Sequence, residues 1–242
     1  MQYSNKQKRM VQIGLKGMTE VRLNTLDIHQ LEDLELKTVS EDGQRFYVDD
    51  KGGKYPSVTT VVGLESRKHI QAWRKRVGEE KANKITKAAT SRGTTMHQHV
   101  EDYLRQEKDF IEFDNLIQEG MFKGIRPVLD EIVPLALEAP MYSDNLKMAG
   151  RVDCIGMFDD VLCVIDFKTS SKFKEDYMAR PWFLQMTAYA LMVEELTGKK
   201  IEEIVALVML ENGTFQIFSG NHEDYIDDLC KIRLQYKNLY GI

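Results

Sequence analysis

The spacing of apolar residues changes character about halfway along the chain. Residues 1–40 are polar with weak periodicity and predict no element. The stretch "RFYVDDKGGKYPSVTTVV" places two β-rich runs around Asp50-Lys51-Gly52-Gly53, the pattern of a hairpin. Ser66 then stands where it could cap a helix starting at Arg67. Ile70, Trp73 and Val77, followed by Ala82, Ile85 and Ala89, recur at helical spacing, with a break expected at Gly78. A further helix is expected after Gly93, through "TTMHQHVEDYL", with His99 on an exposed face. "NLIQEGMFKGIRPVLDEIVPLAL" reads as a third helix, bent or ended near Pro127 or Pro134.

From there the period shortens. "LEAPMYS", "MAGRVDCIGMF" and "VLCVIDF" read as strands, the last two joined by a tight turn at Asp159-Asp160. "RPWFLQMTAYALMVEELTG" is helical, with Pro181 in its first turn and Gly198 past its end. "IVALVML" and "TFQIF" are strands about the turn Asn212-Gly213, and "HEDYIDDLCKIRLQYKNLY" is a closing amphipathic helix. The expected architecture is one α/β domain over 41–242: a helical front half, then a central mixed sheet with a crossover helix. The segment 1–40 stays unassigned.

Composition narrows the class without naming it. The 242 residues are 43% hydrophobic and 29% charged, enough to build a globular core. No apolar run nears the ~20 residues that span a bilayer, and the opening residues lack the apolar centre of a signal peptide. An intracellular protein without a membrane partner is expected. Cys154, Cys163 and Cys230 are too few for a disulfide framework or a four-cysteine iron–sulfur cluster. The net charge of −5 argues against a nonspecific nucleic-acid coat. Between Arg67 and Arg92, however, nine Lys or Arg stand against two Glu. Such a run is either a solvated helix face or a strip that holds a phosphate backbone.

The candidate chemistry sits at the end of the strand "VLCVIDFK". Residues two apart on a strand share a face, so Asp166 and Lys168 point the same way. They could form a simple salt bridge. A two-residue turn at 159–160 changes that reading, because it places Asp153 directly opposite Asp166. Two carboxylates this close repel unless a proton or a cation lies between them, and a hard divalent ion suits oxygen ligands. Glu138 is another acid in an apolar run, and a helix-end carboxylate would explain it equally well. His97 and Glu101 share a helix face, as a ligand pair or as surface residues. Gln185 and Tyr189 share a face of the crossover helix, at the site or at the rim of a buried stripe.

Glu138, Asp153 in "GRVD", "DFK" at 166–168 and "QMTAY" at 185–189 together resemble the PD-(D/E)xK nuclease superfamily. The upstream "RGTTMHQHVE" resembles its RecB-like exonuclease branch, close to the mitochondrial and bacteriophage-encoded exonucleases of that branch. The resemblance runs from about 55 to 196. It implies a restriction-endonuclease-like core, a central mixed sheet flanked by helices. It further implies that His97, Asp153, Asp166 and the Phe167 carbonyl bind Mg²⁺ or Mn²⁺, with Glu138 holding a second metal or a water. Lys168 would orient or help deprotonate the attacking water, with Gln185 and Tyr189 beside the site. The implied reaction is metal-dependent exonucleolytic hydrolysis of DNA, favouring single-stranded ends, in replication, recombination or repair. The chain has no iron–sulfur cysteine set and no helicase phosphate loop, so any helicase or single-strand-binding protein would act in trans. The compartment implied is a bacterial or phage-infected cytoplasm, ahead of the mitochondrial matrix.

Candidate DNA contacts are Arg74, Lys75, Arg76 and Arg92 of the basic strip, with Thr169 and Ser170 after the strand. Trp73 could stack a base but is expected in the core. Two rival classes remain: a structure-specific endonuclease, and a nuclease fold that grips nucleic acid without cutting.

Overall fold

A computed structural model describes residues 26–106 and 111–242. Among the described residues, eight strands and five α-helices alternate with short 3-10 turns. A small sheet of order β1-β2-β3 is built from Lys37–Glu41, Gln44–Val48 and Lys54–Pro56, all antiparallel. The main sheet has order β4-β5-β6-β7-β8, from Val133–Ser143, Met148–Phe158, Val161–Ser170, Glu203–Leu210 and Phe215–Gly220. Its pairings are antiparallel except β6 with β7, which are parallel. A parallel pair needs a crossover, and the helix Arg180–Thr197 supplies it. The result is a mixed α/β architecture, with helices on both faces of the main sheet.

The helices follow in order: α1 Val58–Val77, α2 Glu79–Arg105, α3 Leu116–Leu129, α4 Arg180–Thr197 and α5 Ile226–Tyr240. The start of α1, with α4 and α5, buries one face of the main sheet. The C-terminal half of α2, with α3, buries the other. Of the N-terminal segment 1–40, residues 1–25 lie outside the described residues. Its remainder adds a 3-10 turn, Ile28–Asp33, whose Ile28 and Leu31 join the larger core, and the strand β1.

Several local expectations need correcting. The second arm of the hairpin is only three residues long, and α1 begins nine residues before Arg67. The cap is Ser57, whose Oγ accepts from the Thr60 amide at 3.1 Å; Ser66 lies inside the helix. Val58, Val61 and Val62 look like strand residues, but at i, i+3 and i+4 they turn one face into the core. Burying each is worth roughly 1.5–3 kcal/mol, more than the few tenths that β-branching costs a helix. Gly78 does break the helical run, with φ +84 between α1 and α2, while Gly93 does not, lying inside the continuous α2. His99 is buried with its ring edge-on to Phe113, and Trp73 is only half buried and outside the described core clusters.

Candidate metal and nuclease site

The Asp159-Asp160 turn takes positive φ at both residues, the type I′ geometry that suits a two-residue hairpin. It fixes the pairing Phe158↔Val161 and, four pairs on, Cys154↔Ile165. Continued one step past the last pair, that register sets Asp153 opposite Asp166. On the other side of β5, Leu137↔Cys154 and Ala139↔Val152 bracket Glu138 opposite Asp153. Three adjacent strands thus carry three acids in one row, at the place where the ladders on both sides of β5 open.

The opening is visible in the backbone. Asp153 Oδ2 accepts the Phe167 amide at 2.8 Å, where a strand carbonyl would otherwise stand. The N–H and C=O of one strand residue point to the same side, so the Phe167 carbonyl also faces Asp153. The Phe167 ring is buried against the α2 side of the sheet. Glu138 adopts φ +49, a left-handed conformation that is uncommon for a residue with a side chain. Its carbonyl accepts from Arg151 Nη1 at 2.9 Å. Glu138 stands in the middle of β4, two residues past the end of a register shift at Pro134–Ala136.

His97 projects from α2 toward the row, its Nδ1 3.6 Å from Asp153 Oδ2 and its ring edge-on to Phe167. Ligand atoms of His97, Glu138 and Asp153 all lie within 4.8 Å of one another. One imidazole and two carboxylates fit a divalent ion with N/O ligands. The electrostatics agree: burial, with the Asp153 and Glu101 carboxylates, pushes the Glu138 carboxyl up to about 7. A cation at this place would relieve that repulsion. Glu101 itself is held by Arg105, which also binds Glu32 and the Leu137 carbonyl.

Asp166 is organised differently. It is 2% exposed; its Oδ1 accepts from Gln185 Nε2 at 3.1 Å, and its Oδ2 pairs with Lys168. Burial raises the Asp166 carboxyl to about 6, against the pull of Lys168. Burial alone would lower the Lys168 ammonium, but Asp166 and Asp153 outweigh it and hold it protonated. Lys168 lines the cleft with the triad, and Asp166 lies behind it. For Asp166 to ligate an ion, its pairing with Lys168 would have to open. Tyr189 is buried, and its hydroxyl is pushed well above its ordinary pKa by burial and by the two aspartates. Its ring requires Gly150: a Cβ there would stand 2.7 Å from Tyr189 Cε1.

The cleft has a volume of about 600 Å³ and is lined on one side by His97, Glu138, Asp153, Lys168, Gln185 and Tyr189. Its other lining comes from the small sheet and the start of α1, with Thr38, Arg45, Tyr47 and Thr59. Arg45 carried no signal in the sequence, since it sits in an ordinary β-rich run far from the acids. Arg151 stands inside "GRVD", two residues before Asp153.

The candidate DNA contacts separate. Arg74 is bound by Glu79 and Asn83, and Arg92 pairs with Glu211. Ser170 is buried and donates to the Lys172 carbonyl. Lys75 and Arg76 are exposed near the end of α1, and none of these residues is among those that line the cleft. Thr169 lies near Gly93, its Oγ1 3.9 Å from where a Cβ at that glycine would be.

Residues 115–217 match the PD-(D/E)XK nuclease superfamily. The matched span contains Glu138, Asp153, Asp166, Lys168, Gln185 and Tyr189 and leaves out His97. The chain is similar to Mitochondrial genome maintenance exonuclease 1 of Xenopus tropicalis, 27% identical over 74% of this chain and 54% of that protein. The protein of the same name from Homo sapiens is 26% identical over 72% and 54%. The chain spans about half the length of the curated relatives it matches. Among the described residues, no helix is long and apolar enough to cross a membrane.

Proposed function

We propose, from the match of residues 115–217 to the PD-(D/E)XK nuclease superfamily, that this protein is a divalent-metal-dependent exodeoxyribonuclease acting at single-stranded DNA ends. The observation that carries the reading is the convergence of His97, Glu138 and Asp153 beside Lys168 in one cleft. The two curated relatives are named as exonucleases, which supports action at ends.

The chemistry follows from the residues. His97, Glu138 and Asp153 would hold the ion, Mg²⁺ or Mn²⁺, with the Phe167 carbonyl on the same side. Such an ion lowers the pKa of a bound water and neutralises charge on the phosphoryl oxygens. Lys168 brings a fixed positive charge to the cleft, positioned by Asp166, which Gln185 positions in turn. That ammonium would bind a phosphoryl oxygen and hold the attacking water, stabilising the charge that builds at phosphorus. Water adds to phosphorus and a P–O bond breaks, leaving a phosphate on one product and a hydroxyl on the other. Tyr189, on α4, closes the back of the cleft. Unwinding would come from a helicase or single-strand-binding protein in trans, in DNA repair, recombination or replication inside the cell.

A linear single strand labelled separately at each end tests this. Progressive loss from one label, with Mg²⁺ or Mn²⁺ present and a circular strand left intact, is the expected outcome. Cutting of the circle would move the reading to an endonuclease, and tight binding without cutting to a binding module.

A further inference from the structure

The metal triad and Lys168 occupy one side of the cleft. The other side is furnished by a separate piece of the fold. Ser57 ends the small sheet: its amide donates to the Arg45 carbonyl at 2.9 Å, and it forms a parallel bridge with Ala149 of β5. Two strand spacings of about 4.8 Å therefore separate Arg45 from Ala149. Arg151 is two residues further along β5, on the same face as Ala149. The two arginines thus line the same cleft, two strand spacings and two residues apart, next to the acid row.

Both are exposed, and both are pre-oriented by neutral groups. Arg45 Nη2 donates to the Thr59 hydroxyl at 2.7 Å, and its guanidinium lies 5.8 Å from the Tyr47 ring centroid. Arg151 Nη1 donates to the Glu138 carbonyl at 2.9 Å. These contacts fix direction, and among the described residues neither guanidinium forms a salt bridge, although the Glu138 carboxyl feels the Arg151 charge. Arg74, Arg92 and Arg105, by contrast, each meet a carboxylate. A guanidinium held by neutral partners retains free N–H donors in a planar fork, which matches a phosphate.

We propose that Arg45 and Arg151 form a phosphate-binding clamp that holds the substrate's sugar–phosphate backbone next to the cleaved linkage. The assignment rests on the nuclease reading and adds its backbone subsite. The clamp grips phosphate, so it is indifferent to base sequence. It also gives the small sheet a role: β1–β3 carry one arm of the clamp to the edge of β5. Arg151 has a second effect, since it also supports the left-handed turn at Glu138. Arg45 touches neither the triad nor Lys168 in the contacts above, so it isolates the clamp.

The test is binding of a fluorescently labelled single strand to the full chain in EDTA, across a salt series, for wild type, Arg45→Gln and Arg45→Lys. Cleavage in Mg²⁺ is measured in parallel. Arg45→Gln is expected to weaken binding about tenfold, the scale of one lost charge-assisted contact. Its log-affinity against log-salt slope should flatten by about 0.7, one single-strand phosphate contact. Arg45→Lys should keep the slope and recover only part of the affinity, because an ammonium lacks the fork. KM should rise more than kcat falls. If wild type cleaves but Arg45→Gln binds with unchanged affinity and slope, the clamp is wrong and the nuclease reading stands. If wild type neither binds nor cleaves, the reading fails and takes the clamp with it.

Discussion

Positive charge gathers in two regions, on α1 and α2 and along the cleft, and the two are built in opposite ways. On the helices the charge comes from sequence neighbours, nine cations between Arg67 and Arg92. There Arg74 meets Glu79, Lys84 meets Glu80 and Arg92 meets Glu211. In the cleft the cations come from three distant stretches: Arg45 on β2, Arg151 on β5 and Lys168 on β6. They meet carboxylates, a carbonyl and a hydroxyl in fixed geometry. Charge density along a chain describes a surface, whereas charge brought together across a sheet can describe a site.

The comparison breaks most severely if the cleft acids are dispensable. Asp153→Asn removes the negative charge of a proposed ligand and weakens the acceptor of the Phe167 amide. Lys168→Ala removes the cation and strands the buried Asp166. Each is expected to cut the cleavage rate at least ~100-fold, the scale of losing one strong transition-state contact. Single-turnover rates, with circular dichroism confirming the fold, would check this. Wild-type turnover by either variant contradicts the site.

A smaller effect sharpens the electrostatics. The Glu138 carboxyl sits at about 7, above its ordinary 4.5, so the folded state holds its proton longer than the unfolded state does. That contribution to stability is complete below about 4.5 and is lost as pH rises through about 7. Glu138→Gln removes this dependence. It should raise metal-free stability above neutral pH by roughly 1–2 kcal/mol, allowing for solvent screening, while lowering cleavage. Chemical denaturation at two pH values, in EDTA, measures it. Equal stability of the two proteins above pH 7 would show that Glu138 feels no crowding there. Gly150→Ala forces a methyl into the Tyr189 ring and is expected to cost about 1–3 kcal/mol in the same experiment.

The smallest effect belongs to the helical strip. Lys75→Ala with Arg76→Ala should change stability by less than ~0.5 kcal/mol. It should weaken strand binding less than Arg45→Gln does. A larger loss than that from Arg45→Gln would make the strip the principal track and reverse the comparison.

How much of this was legible in the sequence depends on what fixes each feature. Asp159-Asp160 is a local turn with a local signature, and counting outward from it placed Asp153 against Asp166. Pro181 and Gly198 marked the ends of the crossover helix for the same reason. Ser57 was missed as a cap because the valines after it look like strand residues until one knows which face is buried. The spacing of the helix predicts an exposed face for His99 because its contact, Phe113, lies fourteen residues further along the chain. Glu138 was singled out as a misplaced acid, but its left-handed backbone and its support by Arg151 depend on the register of β4 with β5. Arg45 gave no sign at all, since only the bridge from Ser57 to Ala149 carries it to the cleft.

The most direct test of the central claim is Mn²⁺ titration followed by electron paramagnetic resonance, on wild type and on Asp153→Asn. The account predicts saturable binding in wild type, an imidazole nitrogen coupling that disappears in His97→Ala, and binding lost or strongly weakened in Asp153→Asn. Saturable binding that is unchanged in Asp153→Asn would place the ion elsewhere and contradict the assignment of the cleft.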